Sequence, residues 1–282
     1  MSDESMKFGE IGVWRASRGL DPDLARGIER LGYAALWVGG SPAGDLHDVE
    51  AVVAATERIV VATGVVNIWH ADATEVAASY HRIEENHPGR FVLGIGSGHR
   101  EADAARTRPL AAMRDYLDVL DAEGVPADRR LLAALGPKTL QLSAERSLGA
   151  HPYLTTPAHT RFAREALGPD AFLAPEQMFI ATDDPEAARK IARGTLRSYL
   201  KMSNYADMLV KFDFDRAQLE GEADDAVIDA LTPWGAPETI ASAVRAHLDA
   251  GADHVCIQSL PMREDPLGAL ETMADALGIT PG

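Results

Sequence analysis

Eight short apolar runs, each followed by at least one amphipathic helical stretch, constrain this chain more than any other feature. The runs cover residues 9–14, 34–38, 59–66, 90–95, 131–135, 151–154, 176–181 and 254–258. They are nearly continuous in apolar residues, as parallel strands covered by helices on the outside are. Asp21-Pro22 and Asp183-Asp184-Pro185 supply helix N-caps with proline in the first turn, and Gly32 ends the first helix. Eight such units in 282 residues predict an α/β chain closed into a (β/α)8 TIM barrel, with an open doubly wound sheet as the rival. No internal repeat, low-complexity tract or linker interrupts the pattern. The expectation is one domain over residues 1–282, with an acidic, less regular helical insertion at about 203–230 before the last strand.

Composition narrows the partners. Lys and Arg number 27 against 43 Asp and Glu, a net charge of −16, which argues against nucleic acid or an anionic membrane surface as the main partner. A local basic pocket for an anionic cofactor is still compatible with that total. The single cysteine, Cys256, excludes an internal disulfide and a cysteine-rich zinc site. No run reaches about 18 apolar residues. Residues 1–10 carry no apolar signal-peptide core, so the expected location is cytoplasmic.

In a barrel of this kind chemistry sits at the C-terminal ends of the strands. Three segments stand out there. In FVLGIGSGHR, residues 91–100, Gly96, Ser97 and Gly98 leave backbone N–H groups open to an anion or a polar ring edge, although a plain glycine turn reads the same way. In ATGVVNIWH, residues 62–70, an amide (Asn67), an indole (Trp69) and an imidazole (His70) follow the strand; His70 could move a proton near neutral pH, or be a solvated loop residue. In LGPKTLQ, residues 135–141, Lys138 stands in the first turn of a helix, where the dipole disfavours a cation unless an anion is bound. No nucleophile elbow, no metalloprotease helix motif and no metal-like histidine spacing is present, so no metal is expected.

Longer stretches carry a resemblance: GYAALWVGG at 32–40, RIVVATGVVNIWHAD at 58–72, HPGRFVLGIGSGH at 87–99, LAALGPKTLQLSAERSLGAHPYLTTPAHT at 132–160 and GAPETIASAVRAHLDAGADHVCIQ at 235–258. Over residues 9–277 the chain resembles the bacterial luciferase-like (LLM class) oxidoreductase superfamily, especially its coenzyme F420-dependent branch. The resemblance implies a luciferase-like barrel with a deazaflavin at the strand C-termini. It places a cis peptide between Gly64 and Val65, in a bulge behind the ring, with Val65, Val66 and Asn67 lining that ring and Gly39 at the neighbouring strand end. Gly96, Ser97, Gly98 and His99 would meet the ring edge or tail, and Ala133, Ala134, Gly136, Pro137 and Lys138 the phosphate-bearing tail. Many relatives have an acid followed by histidine after the second strand, whereas this chain has Gly39-Gly40. His70, His99, Trp14 or water would then handle the proton, with His70 and Trp14 as the catalytic candidates. The implied activity is hydride transfer between the deazaflavin C5 and a small organic substrate, in a homodimer. The alternatives are an FMN-dependent luciferase-like monooxygenase and a non-catalytic F420-binding protein.

Overall fold

The computed structural model describes residues 8–99, 101 and 107–281. Arg100 and the first seven residues, on which parts of the sequence reading fell, lie outside that set. All ladders are parallel, and the strands are β1 (Ile11–Ala16), β2 (Ala35–Gly39), β3 (Val60–Gly64), β4 (Val66–Asn67), β5 (Phe91–Gly96), β6 (Arg130–Leu132), β7 (Gly149–Ala150), β8 (Phe172–Leu173), β9 (Glu176–Phe179) and β10 (Val255–Ser259). Their order is β8-β7-β6-β5-β3-β2-β1-β10-β9, with β4 also on β5.

Two pairs of these strands are halves of single staves. β3 and β4 flank the Gly64–Val65 peptide, which is cis at the position the resemblance implies, and both pair with β5. β8 pairs with β7, and β9 pairs with β10. Across the gap between β8 and β9, Ala174 N donates to Ala150 O at 2.9 Å and Glu176 N to Pro152 O at 3.0 Å, while Cys256 N donates to Pro175 O at 3.0 Å. The ladder is therefore continuous around eight staves, and the sheet is a closed barrel.

The sequence placed three staves off register, for identifiable reasons. The sixth was expected at 151–154 and lies at Gly149–Ala150. His151 N still reaches Leu132 O at 2.9 Å, but Pro152 has no N–H with which to continue. The seventh was expected to begin at 176 and begins at Phe172, its first half hidden by Pro175. The fifth ends at Leu132, so the apolar residues 133–135 belong to the mouth and not to the ladder. The helices follow their caps: Asp21 Oδ1 accepts from Asp23 N and Leu24 N, and Asp184 Oδ1 from Glu186 N and Ala187 N, all at 2.9–3.2 Å.

Two buried layers hold the barrel. Leu36, Val61, Phe91, Leu93, Ile95 and Ile257 face outward into the helices. Trp14, Trp37, Val60, Ala62, Val92 and Leu131 fill the interior. Phe8 and Phe172 pack with ring centroids 4.7 Å apart at the N-terminal side of this interior cluster. The inserted stretch forms helices Ser203–Phe212 and Asp225–Leu231, with a 3-10 turn at Arg216–Leu219 between them. It shares an apolar cluster with the barrel, in which Leu209, Val227 and Ile228 pack with Leu196 of the helix Pro185–Tyr199 and with Met178, Ile180 and Leu260 of the barrel. Arg189 and Arg193 tie the two parts together through Asp225 and Asp229 at 2.6–2.8 Å.

Candidate active site

Three adjacent strand ends, those of β4, β5 and β6, bring together most of the residues singled out by sequence. Val65 leans across toward Gly96, where an added Cβ would lie 2.6 Å from Val65 Cγ2 and 3.0 Å from Ala133 Cβ. Only glycine lets these three ends approach so closely. Asn67 Oδ1 accepts from Trp69 N at 3.0 Å, and Trp69 Nε1 donates to Ser97 O at 2.8 Å. The Trp69 indole thus ties the bulge to the loop after β5. Val66, Gly96 and Ala134 are buried, Val65, Asn67, Ser97, Gly98, His99, Ala133 and Gly136 are half-buried, and Pro137 and Lys138 are exposed. Pro137 opens the helix Pro137–Arg146 with Gly136 as its N-cap.

Trp14 occupies the neighbouring part of the mouth. It is buried, and its Nε1 donates to Gly64 O at 3.1 Å. An added Cβ on Gly39 would fall 1.8 Å from Trp14 Cζ2. Glycine at 39 is therefore what makes room for the indole, which explains physically why no larger side chain stands there. Gly39→Ala is expected to cost about 1–3 kcal/mol by overpacking, visible as a lowered urea midpoint with a shifted tryptophan emission. An unchanged midpoint and spectrum would mean the indole does not need that space. His70 lies exposed in the turn after the bulge, with its N–H on Asn67 O at 3.0 Å.

Sequence reasoning missed an aromatic wall on the other side. Tyr153 packs against Trp14 with ring centroids 5.4 Å apart and against Tyr199 at 5.5 Å. Tyr205, from the insertion, lies 5.8 Å from Tyr199 and 4.9 Å from His99. The hydroxyl of Tyr153 donates to Gln258 Oε1 at 3.0 Å. His99 Nδ1 meets Asn204 Oδ1 at 3.0 Å, and Glu101 Oε1 accepts from Ser203 N at 3.0 Å, so the insertion is fastened to the loop after β5. That bond and the Ser203 side chain hold the Glu101 carboxyl down at about 2. Burial raises the Tyr153 and Tyr205 hydroxyls well above the ordinary phenol range, which keeps them as donors.

Below the mouth lies a polar interior. Glu176 and His151 are 1% and 2% exposed, and Glu176 Oε1, His151 Nε2 and Gln258 Nε2 have no hydrogen-bond partner among the described residues. Burial pushes the Glu176 carboxyl up to about 8, and pushes the His151 imidazole down to about 4 even though its Nδ1 donates to Ala174 O at 2.7 Å. A glutamate opening the fully buried strand EQMF was the signal available for it. Among the described residues no group of three His, Cys, Asp or Glu could hold a metal ion, and no helix is long and apolar enough to cross a membrane.

Comparison with known proteins decides what kind of barrel this is. The family described as luciferase-like monooxygenase matches residues 21–123. The fold is a luciferase-like barrel. An F420-dependent secondary alcohol dehydrogenase in complex with an F420–acetone adduct superposes with a TM-score of 0.73, at 13% identity over 95% of this chain and 98% of that one. The oxygenating constituent of 3,6-diketocamphane monooxygenase from Pseudomonas putida, in complex with FMN, superposes at 0.72, with 13% identity over 95% and 97%. In sequence, the 4-hydroxyprotoasukamycin monooxygenase of Streptomyces nodosus subsp. asukaensis is 26% identical over 250 residues, which is 78% of this chain. The luciferase-like barrel described here spans 63% of that curated relative's length. Its structural neighbours thus include both deazaflavin and flavin enzymes.

Proposed function

We propose that this luciferase-like barrel is an oxidoreductase that binds coenzyme F420 and moves a hydride between the deazaflavin and a small organic substrate. The observation that carries the reading is the group of half-buried residues over the ends of β4, β5 and β6, from Val65 through Ser97 to Gly136. Its donors suit the group. Half-buried backbone at Ser97–His99 can meet a polar ring edge, and an exposed lysine at a helix N-terminus can meet a phosphate. Gly136 has open space where a Cβ would stand.

In this reading Val65, Val66 and Asn67 hold one side of the ring, and Gly39 and Gly64 leave Trp14 its place beside it. Gly96, Ser97, Gly98 and His99 meet the ring edge or tail, and Ala133, Ala134, Gly136, Pro137 and Lys138 hold the tail. When bound, the cofactor supplies the hydride chemistry; the barrel orients the partners and excludes water. The wall of Tyr153, Tyr199 and Tyr205 faces the substrate, and the insertion at 203–230 covers the mouth. His70, at the exposed rim, exchanges protons with solvent, and full turnover by His70→Ala would remove it from that task.

Lys138→Ala is expected to weaken cofactor binding about fivefold to tenfold, the worth of one exposed charge at a phosphate, with the melting temperature unchanged. An unaltered dissociation constant would take Lys138 out of the site. The reading itself is tested by fluorescence titration with F420 and, separately, with FMN. Micromolar or tighter binding of F420 alone supports it. A preference for FMN moves the protein to the luciferase-like monooxygenases, a second reading favoured by the family match and by the flavin-bound neighbour. Binding of F420 with no turnover on any acceptor would fit a carrier, and binding of neither would remove the proposal.

A further inference from the structure

The buried polar groups beneath the mouth are not used by the cofactor site as proposed. Glu176, His151 and Gln258 face the interior from neighbouring staves, and Glu176 stands opposite Cys256 in the β9–β10 register. Each carries a buried polar atom without a partner among the described residues: Glu176 Oε1, His151 Nε2 and Gln258 Nε2. An unmade bond at a buried polar atom costs about 1–3 kcal/mol, so three in one chamber point to ordered water or to a working group. A hydrogen-bonded path leads from Gln258 toward the mouth. The Gln258 amide oxygen accepts from the Tyr153 hydroxyl at 3.0 Å, and the Tyr153 hydroxyl lies 3.5 Å from that of the half-buried Tyr199. Glu176 Oε2 has only a long contact, with Leu154 N at 3.4 Å.

We propose that Glu176 is the proton reserve of the reaction, serving a substrate with a carbonyl or quinone oxygen through Tyr153. This rests on the hydride-transfer reading above. The hydride adds to the substrate carbon with its electron pair, and the C=O π pair moves onto oxygen. The oxygen takes the Tyr153 proton while Tyr153 takes the Glu176 proton through a water held by the orphan atoms. A C–H and an O–H bond form, the carbonyl is reduced by two electrons, and the reduced deazaflavin or flavin is oxidised by the same two. Glu176 is left as the carboxylate and regains its proton from solvent. Because it acts through Tyr153, Glu176 is a positioning residue. The titratable groups that face it are the Tyr153, Tyr199 and Tyr205 phenols, the Cys256 thiol and the neutral His151 ring. No cation among them draws off its proton, and burial lifts the carboxyl to about 8, so the acid is stocked at neutral pH.

The test has two readings. Infrared spectra of apoprotein, wild type minus Glu176→Gln, are expected to show a protonated-carboxyl band at neutral pH that fades above about pH 8. No such band overturns the proposal whatever the cofactor does. Then the holoenzyme, loaded with reduced F420, is given menadione as hydride acceptor across pH. The wild-type rate is expected to fall above about pH 8. Glu176→Gln should be slower by at least tenfold and lack that limb, and Glu176→Asp should recover part of both. An unchanged rate with the same limb in Glu176→Gln overturns the proposal. A wild type that shows the band, binds F420 and reduces no quinone at any pH overturns the use of the proton here, whereas failure to bind F420 or FMN at all is the failure of the hydride-transfer reading itself.

Discussion

Stability is expected to peak near pH 6.5 and to fall on both sides. His151, His247 and His254 are buried, and burial lowers each from an ordinary value of 6.5 to about 4. Between those two values the unfolded chain binds more protons than the folded one, so stability drops as pH falls through that window. A shift of that size corresponds to about 3 kcal/mol per histidine as an upper figure. Three of them together are of the order of a whole domain's stability, about 5–15 kcal/mol, and acid unfolding is expected before about pH 4. Glu176 works in the opposite sense. Its carboxyl is raised from 4.5 to about 8, so the folded state binds the extra proton in that window and stability declines as pH rises through it. Below pH 6.5 three histidines outweigh one carboxyl, and above it the carboxyl acts alone. Urea midpoints measured against pH check this. Glu176→Gln should flatten the alkaline limb, and His247→Gln, a residue held by Thr160 at 2.7 Å and Gln177 at 2.9 Å outside the barrel interior, should soften the acid one. A wild-type midpoint that is level from neutral to about pH 8 would mean Glu176 is not buried as an acid.

Trp37→Ala is expected to be the most damaging single truncation in the interior. The indole is fully buried, stacks on His151 with centroids 4.3 Å apart, and donates to His254 Nε2 at 3.0 Å. Truncating a buried aromatic costs about 3–5 kcal/mol, because the contacts are lost and a cavity is left. Here it also strips His254 of its donor. Calorimetry should show a melting temperature lower by on the order of 10 °C. Trp37→Phe, which refills most of the volume without the N–H, should recover more than half of the loss. Equal losses in both variants would place the effect in the Trp37–His254 hydrogen bond rather than in packing.

Much of this was legible beforehand because the barrel writes its staves as apolar runs and its helices as capped amphipathic stretches. Asp21 and Asp184 cap where their sequence says they should, and the bulge sits at Gly64–Val65. Much of what escaped notice has one cause: a side chain's direction in a closed barrel depends on register, and register was uncertain at the prolines. Pro152 and Pro175 shifted the sixth and seventh staves, and with them the inward direction of His151, Tyr153 and Glu176. Tyr199 and Tyr205 were invisible for another reason. They reach the mouth from a helix and an insertion whose local pattern says nothing about which strand ends they cover. Gly39, by contrast, was noticed as a departure, and only the Trp14 indole packed over it gives the departure a physical reason.

The order of closure has a consequence for synthesis. β10 sits between β1 and β9, so the stave that joins the two sides of the sheet is also the last of the strands to be made. Until residues 255–259 leave the ribosome, β1 and β9 each present an unpaired edge, the kind of edge that recruits other chains. The partners in the final ladder are far apart in sequence, as Ile11 and Val255 are, which makes their pairing slow relative to local helix formation. A nascent or truncated chain lacking this stave is therefore the aggregation-prone form, and yield in expression will depend on how quickly this stave follows the rest.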